Sequence, residues 1–257
     1  MPGLWHGRRG LAHLGTCESR RPGSHNGKMN PEASPLVSWS FVVLAAGVAL
    51  AFITAVARTG PGRVAAAAGV ALWMGGTWEL AARGVLARFD ARPPPLLILL
   101  VASIVLGFVL GFSRLGGRLA LRLPLWALVG VQSFRLPLEL AMHAAARERI
   151  MPTRMSFSGE NFDIATGATA IVLAGLLARG RVLRGWVVAW NAGGAMLLGN
   201  IVVHAILASP TIHAFGRAPS EINTFVAYPP YVWLPAVLVV AALVGHILVA
   251  RRLVARS

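Results

Sequence analysis

Gln132, Arg135, Glu139 and His143 lie within QSFRLPLELAMH, a stretch otherwise apolar enough to cross a membrane. At helical pitch the four side chains fall within about 60° to 80° of one another, so they form one polar stripe. Charged groups at membrane depth are costly and rarely face lipid, which marks the stripe as a candidate site. The residue types suggest a division of labour. Arg135 can hold an anionic group, Glu139 and His143 can exchange protons, and either of the latter can serve as a general base. A plainer reading stands beside this one: Arg135 and Glu139 are four apart and can neutralise each other inside a bundle.

Other polar residues share the depth of the stripe. Glu79 lies at the end of the second apolar segment, Asn161 precedes the fifth and Asp163 opens it, and Asn200 and His204 sit four apart at the end of the sixth. Reversing the molecule would carry all of them to the other side without dispersing them. Asp163 also reads as an N-cap and Asn200 as interhelical glue. Pro137 should bend its helix and free a carbonyl beside the stripe. No cofactor is predicted. Were a divalent metal bound, Glu139, His143 and His204 would be its ligands, a set suited to zinc, manganese or non-haem iron, yet there is no HExxH pattern. A metal-free proton relay uses the same groups. His246, near the opposite face, reads as a packing residue, and His213 as a loop or rim residue.

The elements that must position these groups are apolar. Of 257 residues 56% are hydrophobic and 13% charged, with mean hydropathy +0.66. Soluble domains carry about 25% charged residues, so the composition indicates a polytopic transmembrane helix bundle of the all-α class. Seven segments approach spanning length: Leu36–Ala57, Val64–Ala82, Pro95–Phe112, Leu123–Ala146, Asp163–Ala178, Gly185–Leu207 and Tyr231–Ala250. The net charge of +15 would suggest nucleic acid in a soluble protein. Here the arginines occupy short loops, where topology and lipid headgroups account for them, so the expected partners are the bilayer and a small polar ligand or lipid headgroup, not nucleic acid. The single cysteine, Cys17, offers neither a disulfide framework nor a thiolate metal site within one chain.

With the first segment starting outside, the inner loops hold Arg58, Arg63, Arg114, Arg118, Arg122, Arg179, Arg181, Arg184, Arg251, Arg252 and Arg256. The outer loops hold Arg83, Arg88, Arg92, Arg147, Arg149, Arg154 and Arg217. The positive-inside rule therefore favours N-out, C-in. Residues 1–28 oppose it with Arg8, Arg9, Arg20, Arg21 and Lys28. They lack the apolar run of a signal peptide and any helical or strand period, which reads as disorder. Two readings stand: a mispredicted extension with Met29 as the start, or a cytoplasmic basic tail that inverts the molecule. Residues 29–257 read as a single transmembrane domain. The long connection Ser209–Pro230 is flanked by Phe225, Tyr228, Tyr231 and Trp233, an aromatic set expected at the membrane interface. Gly193, Gly194 and the Ala195–Gly199 spacing would permit close helix approach.

FRLPLELAMH followed by PTRMSFSGENFDIATG resembles a pattern in a family of uncharacterised bacterial multi-pass membrane proteins. In that pattern Phe-Arg-x-Pro-x-Glu on one helix precedes a Met-x-Phe-x-Gly-x-Asn-Phe-Asp loop entering the next. The matching residues are Phe134, Arg135, Pro137 and Glu139, then Met155, Phe157, Gly159, Asn161, Phe162 and Asp163. The resemblance covers the middle third of the chain and implies a bacterial inner-membrane protein, without a mechanism. The serine, aspartate and paired-histidine pattern of seven-helix ceramidase-like hydrolases is not present. Three function classes follow. One is an extracytoplasmic-facing pocket that binds or transports a small polar molecule or lipid headgroup, with proton coupling. Another is a membrane-embedded hydrolase or transferase acting on a lipid-borne substrate. The third is a structural or assembly protein whose charges only lock helices together.

Overall fold

The computed structural model describes residues 33–255, and all regular structure among them is helical. Helices α1 (Pro35–Thr59), α2 (Arg63–Ala82), α3 (Pro95–Phe112), α4 (Arg114–Arg122) and α5 (Leu125–Gly130) come first. They are followed by α6 (Arg135–Arg147), α7 (Ile164–Ala178), α8 (Arg184–Leu207) and α9 (Val239–Val254). A 3-10 turn, Val131–Phe134, joins α5 to α6, and a π turn, Leu234–Leu238, leads into α9. Four stretches are long and apolar enough to cross a membrane: α1, α3, α8 and Leu234–Val254. α7 is apolar but short. Residues 1–28, including Cys17, and Arg256, for which the sequence suggests a basic tail and a positive C-terminus, lie outside the described residues.

The segment expected to be one helix, Leu123–Ala146, is composite. Pro137 has no N–H to offer the carbonyl of Ser133, so the backbone tightens just before it, and the Arg135 N–H bonds the Gln132 carbonyl three residues back. The helical path continues, but the polar stripe is carried by two pieces of different pitch.

α9 is the axis of the bundle. Its apolar window is 67% buried, against 22–28% for the windows of α1, α3 and α8, whose outer faces are left for lipid. α3 reaches it through Gly107 and Gly111, one turn apart, where an added Cβ would come within 2.7 Å of Leu243 and of Ile247. At one end of the bundle arginines close the helix C-termini. Arg251 Nη1 donates to the carbonyls of Gly111 at 2.6 Å and Ser113 at 3.0 Å, and Arg184 Nη2 to Leu253 O at 2.7 Å. Arg122 donates to Thr59 O. These cations meet carbonyls at or just beyond helix C-termini, the negative end of the helix dipole. The aromatic set divides: Phe225 and Tyr231 are fully buried, packing edge-to-face with each other and, through Tyr231, with Phe41, whereas Tyr228 and Trp233 are half-buried.

At the other end, α1 is tied to α6. Ser34 caps α1, with Pro35 at its first position, and the Ser34 hydroxyl and N–H donate to the Glu148 carboxylate at 2.6 and 2.7 Å. These bonds, the hydroxyl's first and the N–H's second, hold the Glu148 carboxyl below its usual range. A depressed folded pKa adds stability above the ordinary glutamate range, and that contribution is lost as pH falls through the folded value. Hydrogen-exchange protection of the first turn of α1 should therefore decrease on acidification below the ordinary carboxylate range, and Ser34→Ala, which keeps only the N–H bond, should weaken that pH dependence.

Candidate functional site

The polar residues of the Val131–Phe134 turn and of the first turns of α6 face α7, α8 and α9. Asp163 stands at the N-cap position of α7 but its side chain does not cap that helix. Arg135 takes it instead: Nε donates to Asp163 Oδ2 at 2.6 Å, and Nη2 reaches the same oxygen. Arg135 is 1% exposed and Asp163 4%, so the pair is dry. The third nitrogen, Nη1, lies 2.7 Å from His246 Nε2 on α9. A guanidinium only donates, so Nε2 accepts and the ring proton sits on Nδ1, which donates to Asn191 Oδ1 on α8 at 3.0 Å. Asn191 Nδ2 donates in return to the His246 carbonyl at 3.2 Å. His246 is thereby a neutral imidazole fixed in one tautomer.

Glu139, one turn beyond Arg135, does not pair with it. Both its oxygens accept from the single amide nitrogen of Asn161, at 2.8 Å each. The same nitrogen donates to Met155 O at 3.1 Å, and Asn161 Oδ1 accepts the Asp163 N–H at 3.1 Å. Among the described residues no cation forms an ion pair with Glu139, which is 1% exposed. The hub thus holds one guanidinium, two carboxylates and a neutral histidine. Gln132 completes the row, donating to Ala242 O at 2.9 Å while its own Oε1 is buried without a partner.

Backbone approach makes these contacts feasible. A Cβ on Gly167 would collide with the backbone of Leu136, and one on Gly194 would come within 2.8 Å of both His246 and Thr166. Gly193 and Gly199, by contrast, face open space. Gly159 rests on the backbone of Arg154, where a Cβ would come within 2.5 Å of its Cα. That packing turns the loop so that neighbouring residues serve different partners. Asn161 and Asp163 point into the hub, while Glu160 points to α8. There His204 Nε2 lies 2.5 Å from Glu160 Oε2, and Asn200 Nδ2 donates to Glu160 O at 3.0 Å. Arg154 pairs with the same carboxylate and stacks over Phe215, 4.4 Å from the ring centre.

The expected residues therefore separate into groups. Gln132, Arg135, Glu139, Asn161 and Asp163 belong to the hub. Asn200 and His204 belong to a loop clamp nearer the bundle end. Glu79 pairs with Arg83 at the exposed end of α2. His143 stacks on Phe157 with ring centres 4.4 Å apart, its Nδ1 buried and unpartnered. Glu139, His143 and His204 go to separate partners, and no three His, Cys, Asp or Glu side chains among the described residues converge as metal ligands. Asn191 and His246 are the hub residues that sequence reasoning missed. Each is a polar interruption of an apolar helix, the signal that could have found them. Comparison with protein-family models, curated proteins and solved structures finds no match.

Two variants test the architecture. Arg135→Leu leaves Asp163 buried and unpaired, and should cost about 3–5 kcal/mol of stability, most of it recovered in Arg135→Leu/Asp163→Leu. Gly167→Ala should cost about 1–3 kcal/mol by forcing α7 off α6, whereas Gly193→Ala should not destabilise. Thermal unfolding in detergent reads both.

Proposed function

We propose that this chain is a seven-span protein of a bacterial inner membrane, N-out and C-in, that takes up a proton at Glu139. That proton is coupled to binding or transport of a small polar molecule or lipid headgroup. The observation that carries the reading is the state of Glu139: a buried carboxylate with one N–H donor, Asn161 Nδ2, and no cation of its own. An ionised carboxylate can accept about four hydrogen bonds, and isolating it from water is far costlier than pairing it. Helix locking alone is served by Arg135 and Asp163, and gains nothing from a second carboxylate. His246 already gives its Nε2 lone pair to Arg135, so the address left for a proton is Glu139.

The orientation draws on the arginine-rich end of the bundle. Among the described residues, the ends of α1, α3, α4, α7 and α9 and the start of α8 carry arginines and no Asp or Glu. Such a face belongs on the cytoplasmic side. The enzymatic reading, with Glu139 or His143 as general base, is less well supported, since a substrate would have to reach a carboxylate that is 1% exposed.

Infrared difference spectra of the purified protein across pH test the proposal. A protonated-carboxyl band should appear in wild type, vanish in Glu139→Gln and persist in Glu160→Gln. In liposomes with an internal pH dye, Glu139→Gln should abolish any proton flux while accumulating like wild type. Absence of the band in wild type, or its survival in Glu139→Gln, overturns the reading. Failure of both Glu139→Gln and His143→Ala to accumulate would instead support a purely structural hub.

A further inference from the structure

Away from the hub, a cavity of about 950 Å³ opens between α1, α2, α3, α4, α5 and α9. Its cause is local. The buried residues of α2, Thr77 and Ala81, both lie in its C-terminal half, where Trp73 and Trp233 also fasten it through indole N–H bonds to Ala236 O and Met74 O. The N-terminal half, RVAAAAGV, offers mostly small side chains that cannot fill the space beside α1. Ala65, Ala66 and Gly69 line the gap on that side, and Val240 and Val244 of α9 line the far wall.

The wall is apolar except at one end, where Arg58 and Arg118 line the mouth. The Arg118 guanidinium lies against Gly60 in the α1–α2 turn, 3.1 Å from where a Cβ would stand. Neither arginine is in an ion pair among the described residues. On α1 the lining runs from Gly47 to Arg58, a rise of about 16 Å. One leaflet of a bilayer has about 15 Å of hydrocarbon, so the cavity has the depth of an acyl chain with cations at headgroup level.

We propose that this cavity binds a phospholipid with an anionic, phosphate-bearing headgroup, its acyl chains between α1, α2 and α9 and its phosphate on Arg58 and Arg118. The volume lies near the top of the roughly 300–1,000 Å³ range of ligand sites. Guanidinium groups suit phosphate through paired N–H donors, and basic pockets between membrane helices on the cytoplasmic side have this chemistry. Among the described residues, no carboxylate at this end of the bundle competes for the two cations.

The test uses the full chain in nanodiscs of mixed phosphatidylcholine and phosphatidylglycerol, with bound lipid counted by native mass spectrometry and folding followed by thermal melts. Wild type should retain phosphatidylglycerol over phosphatidylcholine. Arg58→Gln/Arg118→Gln should lower that preference about tenfold, while Arg114→Gln on the same face should leave it unchanged. A Cβ on Gly47 or Gly69 meets no atom within 4 Å, so Gly47→Phe/Gly69→Phe should fill the cavity and expel lipid of both kinds. Should that variant not fold, the arginine pair decides alone. The proposal is overturned if the preference survives loss of both arginines, or if lipid stays bound with the cavity filled. It is equally overturned if inorganic phosphate binds lipid-free protein with the same dependence on Arg58 and Arg118.

Discussion

A guanidinium with no water around it dictates the centre of this molecule. Arg135 cannot release its proton, and at 1% exposure it cannot reach solvent. Its donors must therefore be met by the protein, and its two edges recruit different elements. Asp163 brings the start of α7, and His246 brings α9 with Asn191 of α8 behind it. The glycines at 167 and 194 follow from that demand, because longer side chains would hold α7 and α9 out of reach. Where hydrocarbon surrounds a bundle, apolar burial does little to choose helix partners. A dry cation that needs several acceptors does so strongly.

The polar core was partly legible because membrane depth can be read along a chain. Counting residues from helix ends placed Asp163 and Asn161 level with Arg135 and Glu139, and the structure joins them. Depth is only one coordinate, however. Asn200 and His204 lie at a similar level but face the Glu160 side of the loop, and Glu79 lies outside the bundle's interior. Direction around the axis decided those cases, and it depends on neighbours that no single sequence displays. The simple pairing of Arg135 with Glu139 gave way for the same reason, since Asp163 from α7 takes the Nε and Nη2 edge of the guanidinium and Asn161 takes Glu139. His246, read as a packing residue near the opposite face, instead brings its ring to Arg135. The π turn at Leu234–Leu238 shifts the faces of α9, and no hydrophobic period announces it.

The two ends of the bundle use charge differently. At one end arginines and carboxylates meet in loop contacts such as Arg154 with Glu160 and Arg83 with Glu79. At the other, among the described residues, Arg122, Arg184 and Arg251 meet backbone carbonyls at helix ends. At that same end Arg58 and Arg118 lie at the gap left by the alanines of α2. Small side chains and excess cations, each unremarkable in composition, acquire a joint meaning only when the fold places them together.

The contact of Gly167 with the backbone of Leu136 has a mechanical consequence. Two main chains in direct touch, with an ion pair beside them, cannot slide past each other without separating. α6 and α7 therefore behave as one rigid block, fastened at its loop by Asn161 and by the Glu160 clamp to α8. Separating α6 from α7 would therefore have to break the Arg135–Asp163 pair, the Glu139–Asn161 bonds and the glycine contact together.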